Sequence, residues 1–203
     1  IAAEVIVPSD PSSAAFPTVA ALINQSSDIL LPKIGMNPRR NGVFITLKDM
    51  GADIAFENER IEAGEPVADI RLRGTKTLQG INVPEGRVPS MIDEFPILAV
   101  AAACANGTTH MTGLEELRVK ESDRLAVMST GLAALGVEHE LLPDGMWIRG
   151  RPGPGPAYGG GRIDSHGDHR IAMAFAVAAL RAGAAIEVTD TANVATSFPG
   201  FAT

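Results

Sequence analysis

One pattern returns three times along the chain and limits what it can fold into. Phe16-Pro17 opens the run Phe-Pro-Thr-Val-Ala-Ala-Leu-Ile, which breaks at Asn24-Gln25-Ser26-Ser27 and resumes as Asp28-Ile29-Leu30-Leu31. Phe95-Pro96 opens Phe-Pro-Ile-Leu-Ala-Val-Ala-Ala, breaks at Asn106-Gly107 and resumes as Thr108-Thr109-His110-Met111. A third copy starts at His169, breaks at Ala182-Gly183 and resumes as Ala185-Ile186-Glu187-Val188. A helix of small apolar residues, a tight break and a short strand thus recur about every 75 to 80 residues, the mark of repeated supersecondary units.

The first two copies stay alike downstream. Leu47 to Ile54 answers Leu132 to His139, each reading as a helix that ends at a glycine (Gly51, Gly136) with a strand after it. Leu125, Met128, Leu132 and Leu135 recur at helical spacing, and Asp69–Arg73 and Gly145–Arg149 alternate as strands do. The unit is β-α-β-α-β-β, twice complete and once truncated at Thr203. Alternating helices and strands give an α/β (α+β) class, and helices apolar on every face must be buried on several sides. The Pro/Gly-rich segment Arg151–Gly161 reads as an irregular surface connection, because the repeat continues through it. Residues 1–203 therefore form one domain.

Composition narrows the function. With 17 basic against 24 acidic residues the net charge is −7, which disfavours a nucleic-acid-binding surface. A bound anion must then be held by a few local cations against the global field. No apolar run approaches the roughly 20 residues of a membrane span. One cysteine rules out an internal disulfide framework and fits a reducing, cytoplasmic setting. The opening Ile1-Ala2-Ala3-Glu4-Val5 has neither a basic leader nor an initiator Met and reads as the interior of a longer protein.

Four polar segments precede the apolar helices. Asp10-Pro11-Ser12-Ser13 is a capping sequence, or an anion site on the same free N–H groups. Asp93-Glu94 suits a helix N-terminus, either as a cap or as a carboxylate kept ionised to accept a hydrogen bond. Leu117-Arg-Val-Lys-Glu-Ser-Asp-Arg-Leu125 concentrates charge ahead of the Leu125/Met128/Leu132 stripe. Lys120 and Arg124, four apart, are expected on one side of a first helical turn, with Glu121 partly desolvated beside the stripe. Two cations there call for an anion, although a solvated cluster with Glu–Arg pairs is also consistent. In Asp164–Arg170, His166 and His169 could be metal ligands, but no third or fourth ligand is evident, and His169-Arg170 could equally present two donors to an anion. Gly159-Gly160-Gly161 lacks the Lys-Ser/Thr of a phosphate loop, and Cys104, amid alanines, reads as mid-helix core.

Leu117–Leu125 and Asp168-His-Arg-Ile-Ala-Met173 resemble the two signature blocks of the 5-enolpyruvylshikimate-3-phosphate synthase family. Asp10–Phe16, Met91–Pro96 and Ala195–Pro199 are similar to further family segments, in family order, so the resemblance spans essentially the whole chain. It implies an enolpyruvyl transferase domain, an inside-out α/β barrel of β-α-β-α-β-β units around buried helices whose N-termini face an inter-domain cleft. The chain would be most of the C-terminal half, and its partner the complementary N-terminal domain.

The implied reaction joins phosphoenolpyruvate to the 5-hydroxyl of shikimate 3-phosphate and releases phosphate, with no metal or other cofactor, no nucleic acid and no membrane. By the same resemblance Asp93 deprotonates the 5-hydroxyl, Glu121 is the acid for the methylene carbon, Lys120 lies by the shikimate phosphate, and Arg124, Arg170 and His169 hold phosphoenolpyruvate. Two positions depart from some members: Glu116 stands where they have an Asn, and Thr196 where they have a Lys, which points to the bacterial branch poorly inhibited by glyphosate. The alternatives are a non-catalytic anion-binding half, which this chain alone is expected to be, and a metal-dependent hydrolase built on His166 and His169.

Overall fold

The computed structural model describes residues 6–201. The Ile1–Val5 opening and the end at Thr203, on which the fragment reading drew, lie outside the described residues. The first unit runs α1 (Pro11–Ile23), β1 (Asp28–Gly35), α2 (Gly42–Asp49), β2 (Asp53–Glu62) and β3 (Glu65–Arg73). The second repeats it as α3 (Phe95–Ala103), β4 (Thr108–Met111), α4 (Arg124–Ala134), β5 (His139–Leu142) and β6 (Gly145–Arg149). The third consists of β7 (Gly161–Asp164), α5 (His169–Ala178), β8 (Ile186–Thr189) and α6 (Ala192–Ser197). The sheets have matching orders, β1-β3-β2 and β4-β6-β5, both antiparallel, with β7 and β8 paired in parallel.

Among the described residues the expected leading strand forms as a named strand in the third unit alone, as β7. In the first it shrinks to the parallel bridge Ser9↔Ile34, and in the second to Gln79↔Asn106 and Asn82↔His110. Pro8, directly before Ser9, contributes no N–H to a ladder, whereas in the second unit the interruption falls at Gly80 and Ile81, between the two bridges and ahead of Pro84. Gly161–Asp164 contains no proline.

The recurring helices α1, α3 and α5 pack against one another, each also touching the sheet of its own unit. All nine residues of α3 are buried, and its run Ala-Val-Ala-Ala-Ala lets the neighbouring helices come close. Each large apolar side chain sealed there, such as Leu98 or Phe175, contributes about 1.5–3 kcal/mol. The last strand of each complete unit ends in a glycine lying on the C-terminal end of the central helix. A Cβ on Gly74 would stand 1.8 Å from the Asn24 carbonyl oxygen, and one on Gly150 2.0 Å from that of Ala105.

Two local expectations change. The Pro/Gly segment is not wholly surface: Ala157 and Tyr158 are buried, and the Tyr158 hydroxyl donates to the Val100 carbonyl at 2.7 Å. Cys104 is core, yet it ends α3 rather than sitting within it, and burial pushes its thiol up to about 11. No helix among the described residues is long and apolar enough to cross a membrane.

Candidate functional site

The N-termini of the three central helices meet. At α1, Asp10 is the cap, its Oδ2 accepting from Ser13 N at 2.8 Å. At α3 a short 3-10 turn, Ile92–Glu94, delivers Asp93 and Glu94 to the first residue of the helix. At α5 the cap is Asp168, whose Oδ1 accepts from the backbone N–H of Arg170 at 2.9 Å and of Ile171 at 3.4 Å. Arg40, just before α2, ties the α1 end together by donating to Asp10 Oδ1 at 3.1 Å and Ser12 Oγ at 2.9 Å.

Arg124, the first residue of α4, is driven into this junction. Its side chain is 1% exposed, and its guanidinium is divided among three carboxylates: Asp168 Oδ2 from Nε at 2.8 Å, Asp93 Oδ1 from Nη1 at 3.0 Å, and Glu121 Oε2 from Nη2 at 2.5 Å. A charge buried this deeply is tolerated because its donors are met by charged acceptors. Asp168 is fully buried with it and also accepts from Ser122 Oγ at 3.1 Å. Burial works to raise the Asp168 carboxyl, but the Arg124 hydrogen bond and charge outweigh it and hold the group below the usual carboxylate range.

Asp93 is the meeting point of the cations. Besides Arg124, it has Lys120 Nζ at 3.7 Å and Arg170 Nη2 at 3.7 Å. Lys120 also bonds Glu116 at 2.5 Å, and that contact raises its ammonium above the ordinary value, ahead of the opposing effect of burial. Arg170 Nη1 reaches Glu94 Oε1 at 3.3 Å. Glu94 itself is buried, and burial pushes its carboxyl up despite the Ser12 hydroxyl and the Arg170 charge. Burial, with the neighbouring Arg170 charge, lowers His169.

The structure thus brings Asp93, Lys120, Glu121, Arg124 and Arg170 together, with His169 beside Arg170 at the start of α5. It corrects how two of them are presented. Lys120 and Arg124 do not share a helical turn: residues Glu115–Val119 form a 3-10 turn, Lys120 follows it, and α4 begins only at Arg124 with Asp123 as its cap, Oδ1 accepting from Ala126 N at 3.0 Å. For the same reason Glu121 is not tucked beside the apolar stripe. It lies in the bend before the helix, with its side chain 51% exposed. The buried carboxylates are Asp168, to which sequence reasoning gave no role, and Glu94, whose expected place as a carboxylate kept ionised by the helix N-terminus is overturned by its burial, which pushes the carboxyl up. Asp168 carried one legible signal, an acidic cap before a helix apolar on all sides.

His166 stands apart in its own turn, at φ 51°, its N–H donating to Asp164 Oδ1 at 2.8 Å. Among the described residues no three His, Cys, Asp or Glu side chains form a group able to hold a metal ion, so the hydrolase reading has no ligand set there. Thr196 is exposed on α6.

Comparison with known proteins bears on the family and the fold. The family model described as EPSP synthase (3-phosphoshikimate 1-carboxyvinyltransferase) matches residues 1–203. The 3-phosphoshikimate 1-carboxyvinyltransferase of Alkalilimnicola ehrlichii is 60% identical over 198 residues, 98% of this chain and 43% of that protein. The solved EPSP synthase of Acinetobacter baumannii is 52% identical with a TM-score of 0.95, over 97% of this chain and 45% of that one. The enolpyruvyl transferase NikO of Streptomyces tendae shares the fold at 18% identity and a TM-score of 0.62, over 97% of this chain and 41% of that one. The chain spans less than half the length of the curated relatives it matches. Repeated units around three buried helices, a charged junction at their N-termini and a match along the full sequence lead to one assignment: this chain belongs to the EPSP synthase family.

Proposed function

We propose that this chain supplies one wall of an active site that transfers the enolpyruvyl group of phosphoenolpyruvate to the 5-hydroxyl of shikimate 3-phosphate, with release of phosphate. The observation that carries the reading is Asp93, a carboxylate surrounded by Lys120 and Arg124 from the Leu117–Leu125 segment and by Arg170 from α5. A carboxylate held at a helix N-terminus within reach of a bound hydroxyl is fitted to accept its proton. Cations beside it are fitted to hold phosphate and carboxylate groups.

In this reading Asp93 accepts the 5-hydroxyl proton as that oxygen attacks C2 of phosphoenolpyruvate. Glu121, half exposed, delivers the proton that C3 takes up. C3 then gives a proton back to the Glu121 carboxylate as the C2–O bond to phosphate breaks, which restores the vinyl group and frees phosphate. Lys120 serves the shikimate phosphate, while Arg170, His169 and Arg124 serve phosphoenolpyruvate. Arg124 also fixes the positions of Asp93 and Glu121, since it binds both.

The other wall is the complementary domain, which we take to be the N-terminal half of a cytoplasmic enzyme. One wall alone neither excludes water nor aligns two substrates, and alignment accounts for much of such a rate. Phosphate release from shikimate 3-phosphate plus phosphoenolpyruvate tests this. We expect none from the chain alone and turnover once the complementary half is added. Turnover by the chain alone would overturn the two-wall account. No turnover from two folded halves that bind each other would overturn the proposed activity.

A further inference from the structure

The buried carboxyl of Glu94, at the start of α3, has no part in the scheme above, yet its neighbours come from both of the other central helices. Its side chain is 4% exposed, with Oε1 3.3 Å from Arg170 Nη1 on α5. Ser12 of α1 lies against it, and Ser12 in turn accepts from Arg40 at 2.9 Å. Arg170 also donates to the Asp93 carbonyl at 3.4 Å, so its guanidinium rests on both residues of the Asp93-Glu94 pair. We propose that Glu94 is a positioning residue of the anion site: it holds the Arg170 guanidinium across the gap between α3 and α5, and surrenders it to an arriving anion by taking up a proton. The first part stands on geometry alone; the second rests on the reading of Arg170 as an anion donor.

The physical reason is competition for one cation. With no anion present, Arg170 is the nearest positive charge to a carboxylate cut off from water. An anion bound to Arg170 weakens that pairing and adds a negative charge nearby, and both effects favour the protonated form of Glu94. Burial already inclines the group that way. The charges facing Glu94 are Arg170 from α5, Arg40 ahead of α2 and Asp93 on its own turn. His169, adjacent to Arg170, also gains charge as pH falls. Proton uptake on binding means that the anion binds more tightly as pH falls through the Glu94 range, over and above any share from His169.

The test uses this chain, sulfate as a probe that does not titrate in this range, and the variants Glu94→Gln and Glu94→Ala. Glutamine keeps an acceptor for Arg170 without the charge. Without sulfate, we expect the Arg170 Nε–H NMR signal to be ordered in the wild type and Glu94→Gln, and disordered in Glu94→Ala. Equal order in all three overturns the positioning role, whatever sulfate does. With sulfate, we expect wild-type affinity to improve several-fold from pH 8 to pH 5, and Glu94→Gln to match or exceed the wild type at pH 8 with a flatter pH profile. An unchanged pH profile in Glu94→Gln overturns the proton exchange. Failure of sulfate to bind at either pH overturns the exchange together with the anion reading of Arg170, while the Nε–H result still decides the positioning role.

Discussion

Asp168 does two jobs that conflict in an isolated helix. It caps α5 through two backbone N–H groups and neutralises the Nε edge of Arg124. Because its folded carboxyl is held below the ordinary value, its stabilising effect is present above the unfolded value, near pH 3.9, and is lost as pH falls through the folded one. Asp168→Asn leaves Arg124 buried with its main counter-charge gone. We expect a loss of about 3–5 kcal/mol at neutral pH, narrowing in acid as the wild type itself protonates. Urea unfolding at pH 7 and below pH 4 measures both, and a constant difference across that range would contradict the linkage. The importance of this residue was half legible. Its capping role follows from local sequence, but its bond to Arg124, 44 positions away, does not.

Between elements, the contact of α4 with α5 turns on one missing side chain. A Cβ on Gly131 would stand 2.2 Å from Cζ of Phe175, a ring that is completely buried. In a free helix Gly→Ala gains about 1 kcal/mol. Here the ring has nowhere to go, and overpacking costs about 1–3 kcal/mol. Gly131→Ala is therefore expected to lower stability by about 1 kcal/mol, and adding Phe175→Leu should restore it; thermal melts of the single and double variants decide the matter. The central helices and their breaks could be read from sequence because a run such as Phe95–Ala103 has no polar face to place in water. The start of α4 could not. Lys120 to Asp123 offers several polar residues ahead of an apolar stripe, and only the fold selects Asp123 as the cap. That shift of a few residues is what leaves Glu121 exposed instead of partly desolvated.

Across the whole molecule, an excess of acid groups giving −7 surrounds the proposed anion site, so affinity there must come from local geometry and not from the overall field. Sulfate or phosphate should raise the melting temperature by about 3–5 °C at tenfold excess over the dissociation constant. Sulfate also stabilises proteins generally by exclusion from their surfaces, so the part due to the site is the part that Arg170→Gln abolishes. A shift identical in wild type and Arg170→Gln would mean that no site-specific anion is held. The repeat itself predicted the plan of the molecule, but not that two of its leading strands would be pared to isolated bridges.

The ion pairs around Arg124, Lys120 and Arg170 have one further consequence. Asp93, Glu94, Glu116, Glu121 and Asp168 are tethered to the backbone beside the cations they neutralise, so each acts as a permanently attached rival ligand at very high effective concentration. A visiting anion gains access only by outbidding them. Against such rivals a doubly charged phosphate or sulfate is expected to compete better than chloride or a simple monocarboxylate. The ion pairs thus predict a preference for dianions in this chain by itself, and sulfate binding measured with and without excess chloride checks it.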